Sequence, residues 1–232
     1  MHKTLVVTAY NRRLYSEYAH RFHSTFPHQH LDLAVVSEDN APHTTHELTA
    51  HQAFAEKNKH RPVKGFKHDA VRFCHKPYSI WTVLERIPRK YTRLLWIDAD
   101  TVFRKEIDES WITQHLYNEH SLMTYMGRPQ YHSETGVLLF NLEHKQARDY
   151  VNTVVELYNT NKVYELRETH DSYVWDWCRQ KFEHEGTQFN NVGVDYRVPG
   201  GHIQVYLYGK WFDHTKGSKR KRLGKSPENR QK

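Results

Sequence analysis

An α/β fold built on one central mixed sheet is what this chain predicts, and three observations carry the prediction. Short β-branched runs alternate with longer amphipathic stretches across the first hundred residues, further strand-like runs follow, and no linker or internal repeat divides the 232 residues. A chain of this size buries on the order of 70–75% of the surface it exposes when unfolded, so it needs neither disulfides nor a metal to hold a core. A single domain is expected over residues 1–215, followed by a basic tail over 216–232.

Residues 3–8 form the first strand, ending in Ala9-Tyr10-Asn11, and 12–26 read as a helix. Residues 31–36 make a second strand closed by Ser37-Glu38-Asp39-Asn40. Residues 40–66 are polar, histidine-rich and without clear period, a long excursion. Residues 69–87 place Val71, Phe73, Tyr78, Ile80, Trp81, Leu84 and Ile87 at near-helical spacing, and Pro88 stops them. Residues 93–97 are the continuous apolar run of a strand buried on both faces. Residues 121–126 and 136–140 read as strands, 143–159 and 171–182 as helices, and 203–208 as a late strand.

Lys and Arg number 34 against 27 Asp and Glu, a formal net charge of +7. Residues 216–232 hold eight bases and one acid, Glu228, so the whole excess sits at the C-terminal end. Such a cluster can hold an anionic ligand or a nucleic-acid backbone, or be a solvated end. The opening apolar stretch is too short for a signal-peptide core, and no run approaches the roughly 20 apolar residues of a membrane span. A soluble, cytoplasmic protein is expected. Cys74 and Cys178 fit no zinc or C-x-x-C spacing and are expected as buried free thiols. Among 19 histidines, His46-Glu47 and His51 miss the H-E-x-x-H spacing by one residue. Positions i and i+5 do not share a helix face, so this cluster reads as surface.

The most informative stretch is LLWIDADTVF, residues 94–103. A strand buried on both faces has little reason to end in two carboxylates one residue apart unless something neutralises them, because buried like charges resist joint ionisation. A divalent cation is the simplest partner, and ligands of open α/β sheets bind beyond the carboxyl ends of the strands. The competing reading is a solvated turn.

Trp96-Ile97-Asp98-Ala99-Asp100-Thr101-Val102 resembles the D-x-D segment of the GT-A-fold nucleotide-sugar glycosyltransferases, especially the glycogenin-like, galactosyltransferase-like group. Other segments agree in chain order. Thr8-Ala9-Tyr10-Asn11 is similar to the family's nucleotide-binding first loop, and Lys76 with Trp81 resembles its K-x(3–4)-W segment. Glu134-Thr135-Gly136-Val137 resembles its N-[AS]-G-V strand entry, Asp171-Ser172 sits where the family has D-Q, and His214-Thr215-Lys216-Gly217 matches its H-x-x-G.

The resemblance implies a single GT-A-like, Rossmann-related domain with a central mixed, mostly parallel sheet flanked by helices. It implies Asp98, Asp100 and His214 as ligands of a divalent metal, and nucleotide-sugar contacts from Thr8, Ala9, Tyr10, Asn11, Ala99, Glu134, Thr135, Gly136 and Gly217. Three positions depart from the pattern: Glu134 for Asn, Ser172 for Gln, and Arg220, flanked by Lys219 and Lys221, for the Lys that follows the histidine motif.

Transfer of a sugar from a nucleoside diphosphate needs positive charge on the departing diphosphate, expected from the metal and from Lys219 or Arg220. One imidazole beside two carboxylates tilts the metal toward Mn²⁺ over Mg²⁺. Arg72 and Lys76 read either as nucleotide-sugar contacts or as an exposed charged face. Asp171 reads either as the catalytic carboxylate near the anomeric carbon or as the N-cap of the helix that follows. The resemblance implies retention of anomeric configuration. A UDP-sugar is the leading donor; the acceptor stays open between a glycan or protein hydroxyl and a hydroxymethylated DNA base, with nucleic acid met through the basic tail. Two other classes fit parts of the chain: a haloacid-dehalogenase-like phosphatase using D-x-D-x-[TV], and a basic nucleic-acid-binding module.

Overall fold

The β-branched runs pair in register because each has two apolar faces to bury. In the computed structural model, which describes residues 2–193 and 203–226, β1 (Thr4–Ala9) lies parallel to β2 (Asp32–Ser37) and to β4 (Arg93–Ile97). A two-residue β3 (His46–Glu47) extends the sheet beyond β2. On the other side of β4 come β7 (Tyr131–Asn141), antiparallel to it, then β6 (Met123–Arg128) and the short β8 (Asn190–Asn191). The order β3-β2-β1-β4-β7-β6-β8 is a mixed, mostly parallel seven-stranded sheet.

Helices cover both faces, and the period of two sorts the strand residues between them. Leu94 and Trp96 of β4, with Leu5 and Val7 of β1, face α5 (His75–Leu84), α7 (Ala147–Asn159) and α8 (Asp171–His184). Leu95 and Ile97 face the opposite way with Val6 of β1. They meet Phe22 of α2 (His20–Thr25), Phe103 of β5 (Thr101–Phe103), Ile112 of α6 (Glu109–His115), Ile203 of α9 (Ile203–Tyr208) and Phe212 of β9 (Phe212–His214). Each such side chain, fully buried, contributes about 1.5–3 kcal/mol. Cys74 and Cys178 are buried free thiols, and burial pushes both up to about 12.

Four elements differ from the sequence expectations. Residues 203–208 form α9, not a strand: Ile203, Gln204, Val205 and Tyr208 are buried while Tyr206 is exposed, a helical face that six letters, four of them β-branched or aromatic, do not reveal. The excursion at 40–66 holds β3 and α3 (Gln52–Asn58). The helix expected over 69–87 is α4 (Ala70–Phe73) and α5, breaking at Cys74, because Pro77 has no N–H to offer the Phe73 carbonyl. The helix expected over 12–26 is α1 (Arg12–Leu14), a π-helical turn (Tyr15–Ala19) and α2. Within the tail, Ser218–Leu223 is helix α10, closed by Gly224 in the left-handed region. Residues 194–202 and 227–232, the latter with Arg230 and Lys232, lie outside the described residues. No described helix is long and apolar enough to cross a membrane.

Candidate functional site

At the carboxyl edge of β4 the ladder closes: Ile97 pairs with Val137 of β7, and the Asp98 N–H donates to the Gly136 carbonyl (2.9 Å). Because β7 runs antiparallel, its N-terminal residues Glu134, Thr135 and Gly136 arrive at this same edge. The Thr101 N–H donates back to the Asp98 carbonyl (3.0 Å), and the chain turns into β5. β5 pairs with β9, setting Thr101 opposite His214, and Thr215 donates to the Asp100 carbonyl from its N–H (2.9 Å) and its hydroxyl (2.7 Å). A two-stranded ribbon thus carries a distant imidazole to the two aspartates.

His214 Nε2 lies 3.1 Å from Asp100 Oδ1 and 3.8 Å from Asp98 Oδ2, with all three ligand atoms within 4.8 Å of one another. Two carboxylates and one imidazole suit a divalent cation such as Mn²⁺ or Mg²⁺. The ground is cleared by Gly136. A Cβ there would stand 2.3 Å from Gln204 Oε1 and 3.0 Å from His214 Cε1, so a larger residue would displace the Gln204 amide and crowd the imidazole.

A second network stands beside it. Lys76 Nζ bridges Asp98 Oδ1 (2.9 Å) and Asp171 Oδ2 (2.7 Å), and donates to the Thr135 carbonyl (2.9 Å) and hydroxyl (3.1 Å). The Thr135 hydroxyl in turn donates to Asp171 Oδ2 (2.9 Å), and Trp96 Nε1 donates to Asp98 Oδ1 (2.7 Å). Burial alone would raise Asp171 and Asp100. Lys76 and Thr135 hold Asp171 well below the carboxylate range, as His214 and Lys221 hold Asp100. Burial opposes the charge on Lys76 and His214 as well, yet Asp171 and Asp98 raise the lysine, and Asp100, Glu134 and Asp98 raise the histidine. Glu134 is driven down to about 2 against its burial by Lys216, His214 and Arg128.

The first loop closes the site from the β1 side. Thr8 is buried, its hydroxyl without a partner among the described residues, and the Tyr10 hydroxyl donates to the Pro42 carbonyl (3.1 Å). Asn11 caps α1 through Leu14 N–H (2.9 Å) and donates to Glu38 (3.0 Å). Ala99 packs in one cluster with Tyr10 and Tyr18, and Ala9 is half-buried beside the main core. Arg72 is exposed on α4, its guanidinium 5.6 Å from the Phe73 ring centroid. Gly217 takes φ +88°, which favours glycine, and opens α10.

Of the basic run, Lys219 is exposed and Arg220 donates to the Lys216 carbonyl (3.3 Å). It is Lys221 that reaches Asp100 Oδ2 (3.1 Å), its ammonium 4.2 Å from the Tyr18 ring centroid, and Lys216 that reaches Glu134 (3.0 Å). Sequence reasoning did not single out Lys221, Tyr18 or Gln204. Four adjacent bases offer no way to choose among them until the helix register is known. Gln204 did leave a signal, as the one amide in the otherwise apolar IQVYLY.

Several solved structures that share this architecture are glycosyltransferases. A glycosyltransferase involved in the glycosylation of the major capsid of PBCV-1 superposes with a TM-score of 0.54 at 13% identity, over 95% of this chain and 98% of that one. The bifunctional glycosyltransferase WbbM gives 0.54 at 9% identity, over 93% of this chain and 46% of that one. Mouse xyloside xylosyltransferase 1 gives 0.50 at 12% identity, over 81% and 84%. No family model and no curated protein matches the sequence. With its seven-stranded order, its β5–β9 ribbon and these neighbours, the chain has the GT-A fold of the nucleotide-sugar glycosyltransferases.

Proposed function

We propose that the protein is a metal-dependent glycosyltransferase that moves a hexosyl or pentosyl group from a nucleoside-diphosphate sugar, a UDP-sugar foremost, to an acceptor hydroxyl. The observation that carries this reading is the convergence of Asp98, Asp100 and His214 at the carboxyl edge of a GT-A sheet. In the transfer, the bond from the anomeric carbon to the diphosphate oxygen breaks with its electron pair going to the diphosphate. The acceptor oxygen forms the new bond and gives up its proton. Asp98, Asp100 and His214 would hold a divalent cation, Mn²⁺ in preference to Mg²⁺, which would supply Lewis-acid charge for the departing diphosphate.

The chain's own residues do the rest. Thr8–Asn11 and Ala99 receive the nucleoside. Lys221 and Lys216, from the segment that folds over the site, add fixed positive charge beside the diphosphate, each contributing on the order of 3 kcal/mol. Asp171, kept ionised by Lys76 and Thr135, stabilises positive charge growing at the anomeric carbon. Lys76 is a positioning residue that holds Asp98 and Asp171 together. Glu134, an anion where the resembling family has a neutral amide, accepts hydrogen bonds from the donor sugar. Residues 216–232 act as a basic appendage whose first part covers the donor; the acceptor is a glycan or protein hydroxyl or a hydroxymethylated DNA base, nucleic acid being met through the tail.

The fold favours neither the phosphatase nor the nucleic-acid-module reading. Incubation with UDP-, GDP- and TDP-sugars and Mn²⁺ without acceptor tests the proposal, because a glycosyltransferase slowly releases free sugar from its own donor. Release from one donor class that needs Mn²⁺ is expected. Turnover of a phosphomonoester with every nucleotide sugar left intact would overturn the reading.

A further inference from the structure

Among the described residues, three groups bring carboxylate and imidazole ligand atoms within 4.8 Å of one another, and the site above uses one. We propose that His132, Glu168 and His170 form a separate site for a transition-metal cation of the zinc type. Glu168 Oε2 lies 2.8 Å from His170 Nε2 and 3.4 Å from His132 Nε2. Metal–ligand distances of about 2.0–2.1 Å in a tetrahedral site put neighbouring ligand atoms about 3.3–3.4 Å apart, a spacing the Glu168–His132 pair already has, while Glu168 and His170, hydrogen-bonded at 2.8 Å, would part slightly to admit the ion. Two imidazoles in the set favour zinc over magnesium or calcium.

The surroundings are those of a ligand set. Glu168 turns its other oxygen, Oε1, to Lys67 Nζ (3.2 Å), which fixes the carboxylate and leaves Oε2 toward the histidines. His132 turns Nδ1 toward Asp176 Oδ2 (3.9 Å), a carboxylate itself pinned by the Ser133 N–H (2.8 Å) and hydroxyl (2.6 Å). His132 Nε2, Glu168 Oε2 and His170 Nε2 converge, all within 4.8 Å of one another, which is the arrangement a cation needs. The three side chains are 26%, 13% and 11% exposed, so the point is shielded yet reachable for a fourth ligand.

The remaining trio, Glu38, His51 and His75, makes the contrast. His51 Nε2 faces Glu38 (3.2 Å), but its Nδ1 is buried without a partner among the described residues, so binding a metal through Nε2 would strand a buried N–H. The proposed site has a further consequence: it ties β7 at His132 to the segment that ends at His170, one residue before Asp171. Bound zinc would staple the entry of α8 to the sheet.

Zinc titration against a chromophoric chelator tests this in the full-length protein and four variants. Wild type should take up Zn²⁺ at a site that survives the double change Asp98→Asn with Asp100→Asn. Affinity should fall on the order of 100-fold or more in His132→Ala and in His170→Ala. Glu168→Gln, which keeps the shape while removing the anionic ligand, should lose it too, and serves should a histidine variant misfold. Co²⁺ bound in place of zinc should give the absorption of a four-coordinate, imidazole-bound ion in wild type. No tight uptake by wild type, uptake undiminished in the histidine and Glu168 variants, or uptake lost with the aspartate pair would each overturn the proposal.

Discussion

Lys76 is the residue on which the local electrostatics turn. Its ammonium neutralises two carboxylates, Asp98 and Asp171, that arrive from different strands and helices. Lys76→Met would leave both without their cation, and breaking such a buried pair costs on the order of 3–5 kcal/mol. Chemical denaturation of the variant should show a loss of that size; a loss below about 1 kcal/mol would mean the carboxylates are solvated and the pairing is weak. Glu134 supplies a pH signature. Its carboxyl sits at about 2 in the fold against an ordinary 4.5, because Lys216, His214 and Arg128 outweigh its burial. A lowered folded value means its contribution is complete above about pH 4.5 and disappears as pH falls toward 2. The stability gap between wild type and Glu134→Gln should therefore shrink by about 3 kcal/mol over that window. A gap independent of pH would contradict the pairing. The residues at this scale were partly legible. Asp98 and Asp100 stand out because two acids end an apolar run, whereas Lys76 reads from sequence as one charge on a helix face, since its two partners are set by tertiary contacts.

At the scale of elements, the register of α10 decides which base meets the site. Lys221→Met should weaken Mn²⁺-dependent donor binding or lower turnover by about 100-fold, while Lys219→Met, an exposed position, should change neither by more than about twofold. Steady-state kinetics on one donor compares them, and equal effects would mean that the helix does not hold this register when donor is bound. Arg21 of α2 donates to the Lys221 carbonyl, which anchors α10 at its far end. The β5–β9 ribbon makes a second test. Gly136→Ala would drive a methyl group into Gln204 and His214. The variant should fold, yet show weaker metal-dependent stabilisation by nucleotide, because the Gln204 amide must turn away and His214 must give slightly while the sheet beneath it need not. Strands β1, β2 and β4 were legible because a buried parallel strand is a continuous apolar run. The α9 segment was not, since IQVYLY satisfies the composition of a strand and only the burial of Gln204 beside Ile203 and Val205 declares the helix.

For the whole molecule, the order of the main sheet strands was readable from local pattern, and its closure only through the family resemblance that set His214 beside Asp98 and Asp100. Strand–helix alternation announces the sheet, and the motif order announces the GT-A arrangement, because both are local patterns repeated along the chain. The pairing of Thr101 with His214 depends on a return of the chain across more than a hundred residues, which no local pattern encodes. That return is also what makes the site a property of the complete fold, so its chemistry should respond to metal and nucleotide together. Calorimetric titration of the UDP-sugar into the protein, with and without Mn²⁺, for wild type and for Asp100→Asn, tests this most directly. The expected result is donor binding by wild type that requires Mn²⁺ and is absent in Asp100→Asn, with the variant still folded. Binding of equal strength with and without Mn²⁺, or in both proteins, would contradict a metal-centred donor site at Asp98, Asp100 and His214.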